Sequence, residues 1–235
     1  MPSINDPNIE MLEVGVAKLG HLVDDLVFLG GCATGLLLTD DAAPPPRVTR
    51  DIDVIIEVAS LSEYHSFNAK LRSRGFSEDI SPGAPICRWK SGDIILDVMP
   101  TDPELLGFGN QWFTKSFQVA HHQSLPSGKT IRVLPAPYFM ATKIEAFYSR
   151  GIGDFLLSKD IEDLVTVLDG RPEIVKECLE TESELKAYLT EQLTKMVKSQ
   201  VFLDALPGLL PPDTASQARV KIILGRIERI STVQH

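Results

Sequence analysis

The sequence has few cysteines, no long apolar run and no repeat. Cys32, Cys87 and Cys178 are three in number, far apart and without a CxxC spacing. That argues against a disulfide scaffold or a structural zinc site and points to a reducing, cytoplasmic setting. The longest nearly uncharged apolar stretch, residues 26–39, is interrupted by three glycines and is too short to cross a bilayer, so no membrane association is expected. The first ten residues, MPSINDPNIE, carry neither a basic start nor an apolar run and do not read as a secretory leader. Basic residues are outnumbered, 23 to 32, for a net charge of −9, which counts against a protein that wraps duplex DNA.

What is present suits packed structure. Of 235 residues, 43% are hydrophobic and 23% charged, enough for one large domain or for one domain with a helical appendage, and too apolar for global disorder. The charge is uneven. Residues 67–90 hold five Lys or Arg against two acids, and residues 214–235 hold Arg219, Lys221, Arg226 and Arg229 against Glu228. Each run reads either as an anion-facing patch or as an ordinary solvated helix face.

Apolar periodicity divides the chain into two lobes. Ile9, Leu12, Val16, Leu19, Val23 and Leu26 recur at spacings of three and four and predict a helix over 8–26. A short apolar strand, 26–29, runs into Gly30-Gly31 and a helical stretch over 32–38; Pro44-Pro45-Pro46 then marks a loop. A strand over 51–58 and a helix over 61–74 follow, then short strands at 76–80, 86–90 and 93–99. A hairpin of 117–124 with 130–134 closes the lobe. Beyond residue 135 the pattern is helical, at 136–150, 157–169, 171–180, 182–198 and 214–230. The expected class is therefore α/β (α+β): a mixed-sheet lobe over 1–135, then a helical lobe over 136–235.

The chemistry-bearing segment is Asp51-Ile52-Asp53. Alternate side chains of a strand share a face, so both carboxylates point one way. Like charges on one face call for a cation, and all-oxygen ligands suit Mg²⁺ or Mn²⁺; a bare pair of this kind also reads as an exposed edge strand with two solvated acids. Three neighbours favour the first reading. Gly30 and Gly31 lie at a strand-to-helix turn, where backbone N–H groups can approach a phosphate. Thr49, and Arg47 if the strand begins that early, share the face of Asp51 and Asp53. Asp97 sits inside the apolar run Ile94-Ile95-Leu96-Asp97-Val98, where an acid is costly unless paired or metal-bound. Such a layout can hold a metal–nucleoside triphosphate, with Asp51, Asp53 and Asp97 sharing two divalent ions.

These residues resemble the signature of the nucleotidyltransferase superfamily, most nearly its AbiEii/AbiGii-toxin (MenT-like) branch, over Gly30-Gly31-Cys32-Ala33 and Arg47-Val48-Thr49-Arg50-Asp51-Ile52-Asp53-Val54. The helical half is similar to that branch in Lys143–Arg150 and in Lys159-Asp160-Ile161-Glu162-Asp163-Leu164. The resemblance spans roughly residues 25–168. It implies metal binding by Asp51, Asp53 and Asp97, with Asp97 also activating the acceptor hydroxyl. It further implies a triphosphate cradle of Gly30, Gly31 and Thr49, and active-site roles for Lys143 and Asp160, Lys143 touching the nucleotide. Cys32 departs from the Ser or Thr usual after the glycine pair, and the three prolines lengthen the linker before Arg47. The implied reaction transfers NMP from an NTP to a hydroxyl, on RNA such as a tRNA 3′ end or on protein. The implied setting is a toxin with an antitoxin partner.

Other readings remain open on the residues alone. The acidic body could attract a cationic small-molecule acceptor, as in an antibiotic-modifying nucleotidyltransferase; a non-catalytic nucleotide-binding module is a third. Lys143 lies at the edge of the Met140, Ile144 and Phe147 stripe, where it reads as a phosphate contact or as a snorkelling surface lysine. Asp160 and Asp163 share a helix face near its start, where acids favour the helix dipole in any case, and Arg150 can pair with one of them. His121 and His122 point to opposite faces of a strand and are poorly placed to share a metal.

Overall fold

A computed structural model of the chain describes residues 6–150 and 153–232. It separates into two compact units. One comprises the chain up to Leu36 together with Val48–Pro135; the other comprises Leu37–Arg47 and the chain from Ala136 onward.

The first unit is a mixed sheet with helices. Its elements are α1 (Pro7–Leu19), β1 (Leu26–Leu29), β2 (Ile52–Ile56), α2 (Leu61–Ser73), β3 (Ser77–Glu78), β4 (Arg88–Ser91), β5 (Ile94–Pro100), α3 (Phe113–Val119), β6 (His121–Ser124) and β7 (Thr130–Val133). The sheet has seven strands in the order β3-β4-β5-β2-β1-β7-β6. β2 runs parallel to β5 and β1 parallel to β7, while the remaining neighbours are antiparallel. All four residues of β1 are buried, as a central strand covered on both faces requires. Leu12, Leu19, Leu26, Phe28, Ile52, Val54, Leu71, Leu96 and Val98 share one core, each burying apolar surface at roughly 25 cal/mol per Å².

Local sequence explains most element ends. Asp6 caps α1 by accepting from the Asn8 N–H at 2.9 Å, with Pro7 at the first turn. The helix expected over 8–26 ends at Leu19, where Gly20 caps it, and the chain continues as a 3₁₀ helix over Gly20–Asp25. Apolar spacing of three and four fits both helix types, so the pattern ran through the break. The stretch after the glycine pair is likewise 3₁₀, Gly31–Leu37. Residues 117–119, expected as strand, finish α3, which buries Phe113 and Ser116 on one face.

The second unit is helical: α4 (Ala136–Ser149), α5 (Lys159–Gly170), α6 (Ile174–Glu180), α7 (Ser183–Lys198), α8 (Gln200–Ala205), α9 (Thr214–Ala218) and α10 (Val220–Ser231). The helix expected over 214–230 is divided at Arg219, and α8 was not foreseen. α10 packs on α7 and buries Ile223, Ile227 and Ile230. The segment from Leu37 to Arg47 belongs here, with the Thr39 and Asp40 N–H groups donating to the Gly170 carbonyl at 2.9 and 3.0 Å.

Several cations of the two basic runs are engaged within the fold. Arg219 pairs with Asp169 at 2.7 Å and with Asp40 at 2.5 Å, and Arg226 donates to the carbonyls of Leu168 and Asp169. These cations serve the exposed carbonyl end of α5. In the sheet unit Lys70, Arg72 and Lys90 pair with Asp25, Glu78 and Asp79. No helix among the described residues is long and apolar enough to cross a membrane.

Candidate functional site

The end of β1 and the start of β2 come together because the strands pair antiparallel with Leu29 opposite Asp53. The chain must then turn off the sheet at once, and Gly30 does so with φ +74°. The turn fits closely under the acid. A β-carbon at Gly30 would stand 1.8 Å from Asp53 Oδ2, so only glycine leaves room for that carboxylate. Past the turn, the Ala33 N–H donates to the Gly30 carbonyl at 3.2 Å and starts the 3₁₀ segment led by Gly31. Cys32 is buried and donates its thiol back to the Leu29 carbonyl.

β5 supplies the third acid. It runs parallel to β2 with Asp97 directly beside Asp53, so the two side chains rise on one face. Asp51 stands one step before β2, with parity to Asp53. Its Oδ1 accepts the Thr49 hydroxyl at 2.7 Å, and the Thr49 N–H is tied to Asn8 Oδ1 at 2.9 Å. Thr49, expected to face a phosphate, thus orients Asp51.

The sequence reading missed the residue that joins these acids. Arg88, on β4, is the cross-strand partner of Asp97. Its Nε and Nη2 donate to the two oxygens of Asp97 at 2.8 and 2.7 Å, and Nη2 also reaches Asp51 Oδ2 at 3.1 Å. The hydrogen bonds to Asp97 raise the arginine's pKa. Burial, with the charges of Asp97 and Asp53 nearby, pushes the Cys87 thiol up to about 12. The available signal was Arg88 in the strand preceding the hairpin, since a two-residue turn sets positions equidistant from it opposite one another; the turn is Gly92-Asp93, one residue later than the Ser91-Gly92 read from the sequence, and that step sets Arg88 opposite Asp97.

Asp51, Asp53 and Asp97 are the carboxylates expected to hold Mg²⁺ or Mn²⁺. The all-oxygen donors suit such an ion, but Asp97 and Asp51 are bound to Arg88. Among the described residues no group of three or more His, Cys, Asp or Glu is gathered to hold a metal. Asp97, expected to take a second ion and activate a hydroxyl, accepts a bidentate ion pair from Arg88 in this structure.

The motif residues of the helical unit form an ion network of their own. Lys143 is neither at a surface edge nor snorkelling: at 7% exposure it donates to Asp163 at 2.6 Å and to Asp160 at 3.3 Å. Asp163, 1% exposed, also takes Nε and Nη2 of Arg47 at 2.8 and 2.9 Å. Asp160 takes Nη1 of Arg150 at 2.6 Å. Burial works against the Arg47 charge, but the hydrogen bond and charge of Asp163 outweigh it and raise the arginine's pKa. Arg47 would share the face of Asp51 only if the strand began that early; β2 begins at Ile52, and Arg47 is a member of this network. Ser158 caps α5 by accepting the Ile161 N–H, and that cap fixes the helix face bearing both acids.

No protein-family model matches the chain, and no curated protein matches it. Solved structures do share its architecture. JHP933 from Helicobacter pylori superposes with a TM-score of 0.50 at 11% identity, over 97% of this chain and 94% of that one. An antigenic nucleotidyltransferase-like protein from Paracoccidioides brasiliensis gives a TM-score of 0.49 at 21% identity, over 87% of this chain and 95% of that one. At such identities the likeness is one of fold.

Proposed function

We propose that this protein transfers a nucleoside monophosphate from an NTP to a hydroxyl acceptor, at the strand ends that carry Gly30, Asp51, Asp53 and Asp97. One observation carries the reading. The glycine turn and the three acids, scattered over 68 positions of sequence, are brought together on three adjacent strands, at the end of β1, the start of β2 and the middle of β5, with the glycine backbone directly under the Asp53 carboxylate. A turn of that form leaves backbone N–H groups open to a phosphate chain.

In the step itself the acceptor oxygen forms a bond to the α-phosphorus. The bridging bond between the α- and β-phosphates breaks, and pyrophosphate leaves with the electron pair. The hydroxyl proton passes to a base, and the carboxylates at 51, 53 and 97 are the bases at hand. For the acceptor we take the 3′ end of an RNA, tRNA first, and for the setting a toxin restrained by an antitoxin; both follow from the motif resemblance to the toxin branch.

The test is direct. The full chain is incubated with each α-labelled NTP, divalent salt and total RNA. Label in RNA is expected, and label on protein or on a small amine alone would replace the acceptor. No label on any acceptor would refute the transfer. Asp53→Ala should abolish transfer with the fold intact by circular dichroism; undiminished turnover in that variant would remove the acid from the chemistry.

A further inference from the structure

The acids of the site are held in different ways. Asp53 and Asp97 sit inside paired strands, one opposite Leu29 and the other beside Asp53, so register aims both side chains. Asp51 precedes Ile52, where β2 and its pairing begin, and the sheet does not place it. Side chains do. Thr49 donates its hydroxyl to Asp51 Oδ1 at 2.7 Å, the short length of a hydrogen bond to a carboxylate. Arg88 reaches Oδ2 with a single bond of 3.1 Å, from an Nη2 that also serves Asp97 at 2.7 Å. The threonine is the closer hold. It is anchored in turn by Asn8, which stands one turn before Leu12 on the buried stripe of α1, where an apolar residue would continue the pattern. A buried amide is costly without hydrogen bonds, and Asn8 Oδ1 accepts the Thr49 N–H at 2.9 Å. The relay from Asn8 through Thr49 to Asp51 thus starts on a helix packed into the core and ends on the acid that strand register leaves free to turn.

We propose that Asn8 and Thr49 are positioning residues for the transfer step: they fix the Asp51 carboxylate in its reacting place and take no part in holding the nucleotide. The inference rests on the nucleotidyl-transfer reading, which gives Asp51 its task, and it takes the place of the triphosphate contact that the motif resemblance implies for Thr49. The donor inventory carries it. A threonine has two donors, its N–H and its hydroxyl. The N–H is spent on Asn8 and the hydroxyl on Asp51, so a phosphate oxygen at Thr49 would have to displace one of them. Asn8 touches neither substrate nor acid and acts through Thr49 alone.

The experiment measures kcat and KM in the label-transfer assay, with the α-labelled NTP that labels best. It compares wild type, Thr49→Val, Thr49→Ser, Asn8→Leu and the Asn8→Leu/Thr49→Val double variant, each checked for folding by circular dichroism. Thr49→Val keeps the shape and loses the hydroxyl; with Asp51 misplaced by about 1 Å, kcat should fall on the order of 100-fold. KM should stay within about threefold, whereas loss of a group that gripped the triphosphate would raise it. Thr49→Ser keeps the hydroxyl and should hold kcat within about threefold of wild type. Asn8→Leu continues the apolar stripe, releases the Thr49 N–H, and should lower kcat about tenfold with KM unchanged. The double variant should be within about threefold of Thr49→Val, because both residues act in series on one carboxylate. Losses that multiply, or a Thr49→Val defect confined to KM, overturn the inference. If Asn8→Leu does not fold, the two Thr49 variants decide. Crystal structures of wild type and Thr49→Val keep this inference apart from the reaction it serves. The Asp51 carboxylate should shift by about 1 Å or more in the variant; an unmoved carboxylate overturns the relay. Transfer by the wild type with an unchanged kcat in Thr49→Val leaves the reaction and removes the positioning. No transfer by the wild type with a displaced carboxylate does the reverse.

Discussion

Replacing Gly30 by alanine attacks the candidate site at its tightest point, and Gly128→Ala provides the control. Both glycines have positive φ, +74° and +84°, so both alanines incur left-handed backbone strain, about 1–2 kcal/mol. Their surroundings differ. Nothing lies within 4 Å of a β-carbon at Gly128, whereas at Gly30 it meets Asp53 Oδ2 at 1.8 Å, Cγ at 2.6 Å and Cβ at 2.7 Å. Ordinary contact begins near 3.4 Å, so the carboxylate must retreat by roughly 1.5 Å, the gap between 1.8 and 3.4 Å. The retreat is opposed by β2, whose Asp53 is paired on both sides, to Leu29 and to Asp97. Gly128→Ala should therefore lose about 1–2 kcal/mol in urea denaturation and keep its activity. Gly30→Ala should lose more than the control, and an acid misplaced by about 1 Å should lower transfer on the order of 100-fold. Equal stability losses in the two variants, with undiminished transfer by Gly30→Ala, would refute the argument that Asp53 sits on the glycine turn.

Other consequences concern the helical unit and the thiols. Asp163→Ala removes the acid that Lys143 and Arg47 share, leaving the longer contacts of Lys143 with Asp160 at 3.3 Å and of Arg47 with Glu162 at 3.9 Å, and should cost about 3–5 kcal/mol in urea denaturation. Lys143→Met leaves Asp163 with Arg47 and Asp160 with Arg150, and should cost distinctly less. The hydrogen bond from Arg219 holds the Asp40 carboxyl below its ordinary 3.8. A carboxyl whose folded pKa is depressed contributes stability above its unfolded value and loses it as pH falls through the lowered folded value. Asp40→Asn should thus destabilise at pH 7, with the difference from wild type fading below about pH 4 in acid titrations followed by circular dichroism. Burial pushes the Cys87 and Cys178 thiols up to about 12, and Cys32 is buried as well. A thiol reagent at pH 8 should label the native protein slowly and the urea-unfolded chain at once; rapid native labelling would contradict this burial.

Short-range physics made much of this chain legible. The apolar run 26–29 ending in two glycines, the parity of Asp51 and Asp53, and the cost of an acid at Asp97 inside a strand are local facts, and each depends only on strand period and solvation. Helices over 61–74, 136–150 and 182–198 followed from period and caps, within a residue or two of the observed ends. The 3₁₀ segments after Leu19 and Gly30 did not, because three- and four-residue spacings do not distinguish the helix types.

What the sequence determined alone was therefore which residues share a strand or helix face, since alternation and helical period are properties of neighbours along the chain. What only the tertiary structure decided was which faces meet and which charges compensate one another. It set Arg88 against Asp97 and Asp51, Arg47 and Lys143 against Asp163, and Arg219 against Asp40. Ion pairs of that kind are chosen by strand register and helix packing between segments up to 179 positions apart, and a Coulomb interaction depends on distance in space, which the order of residues does not record.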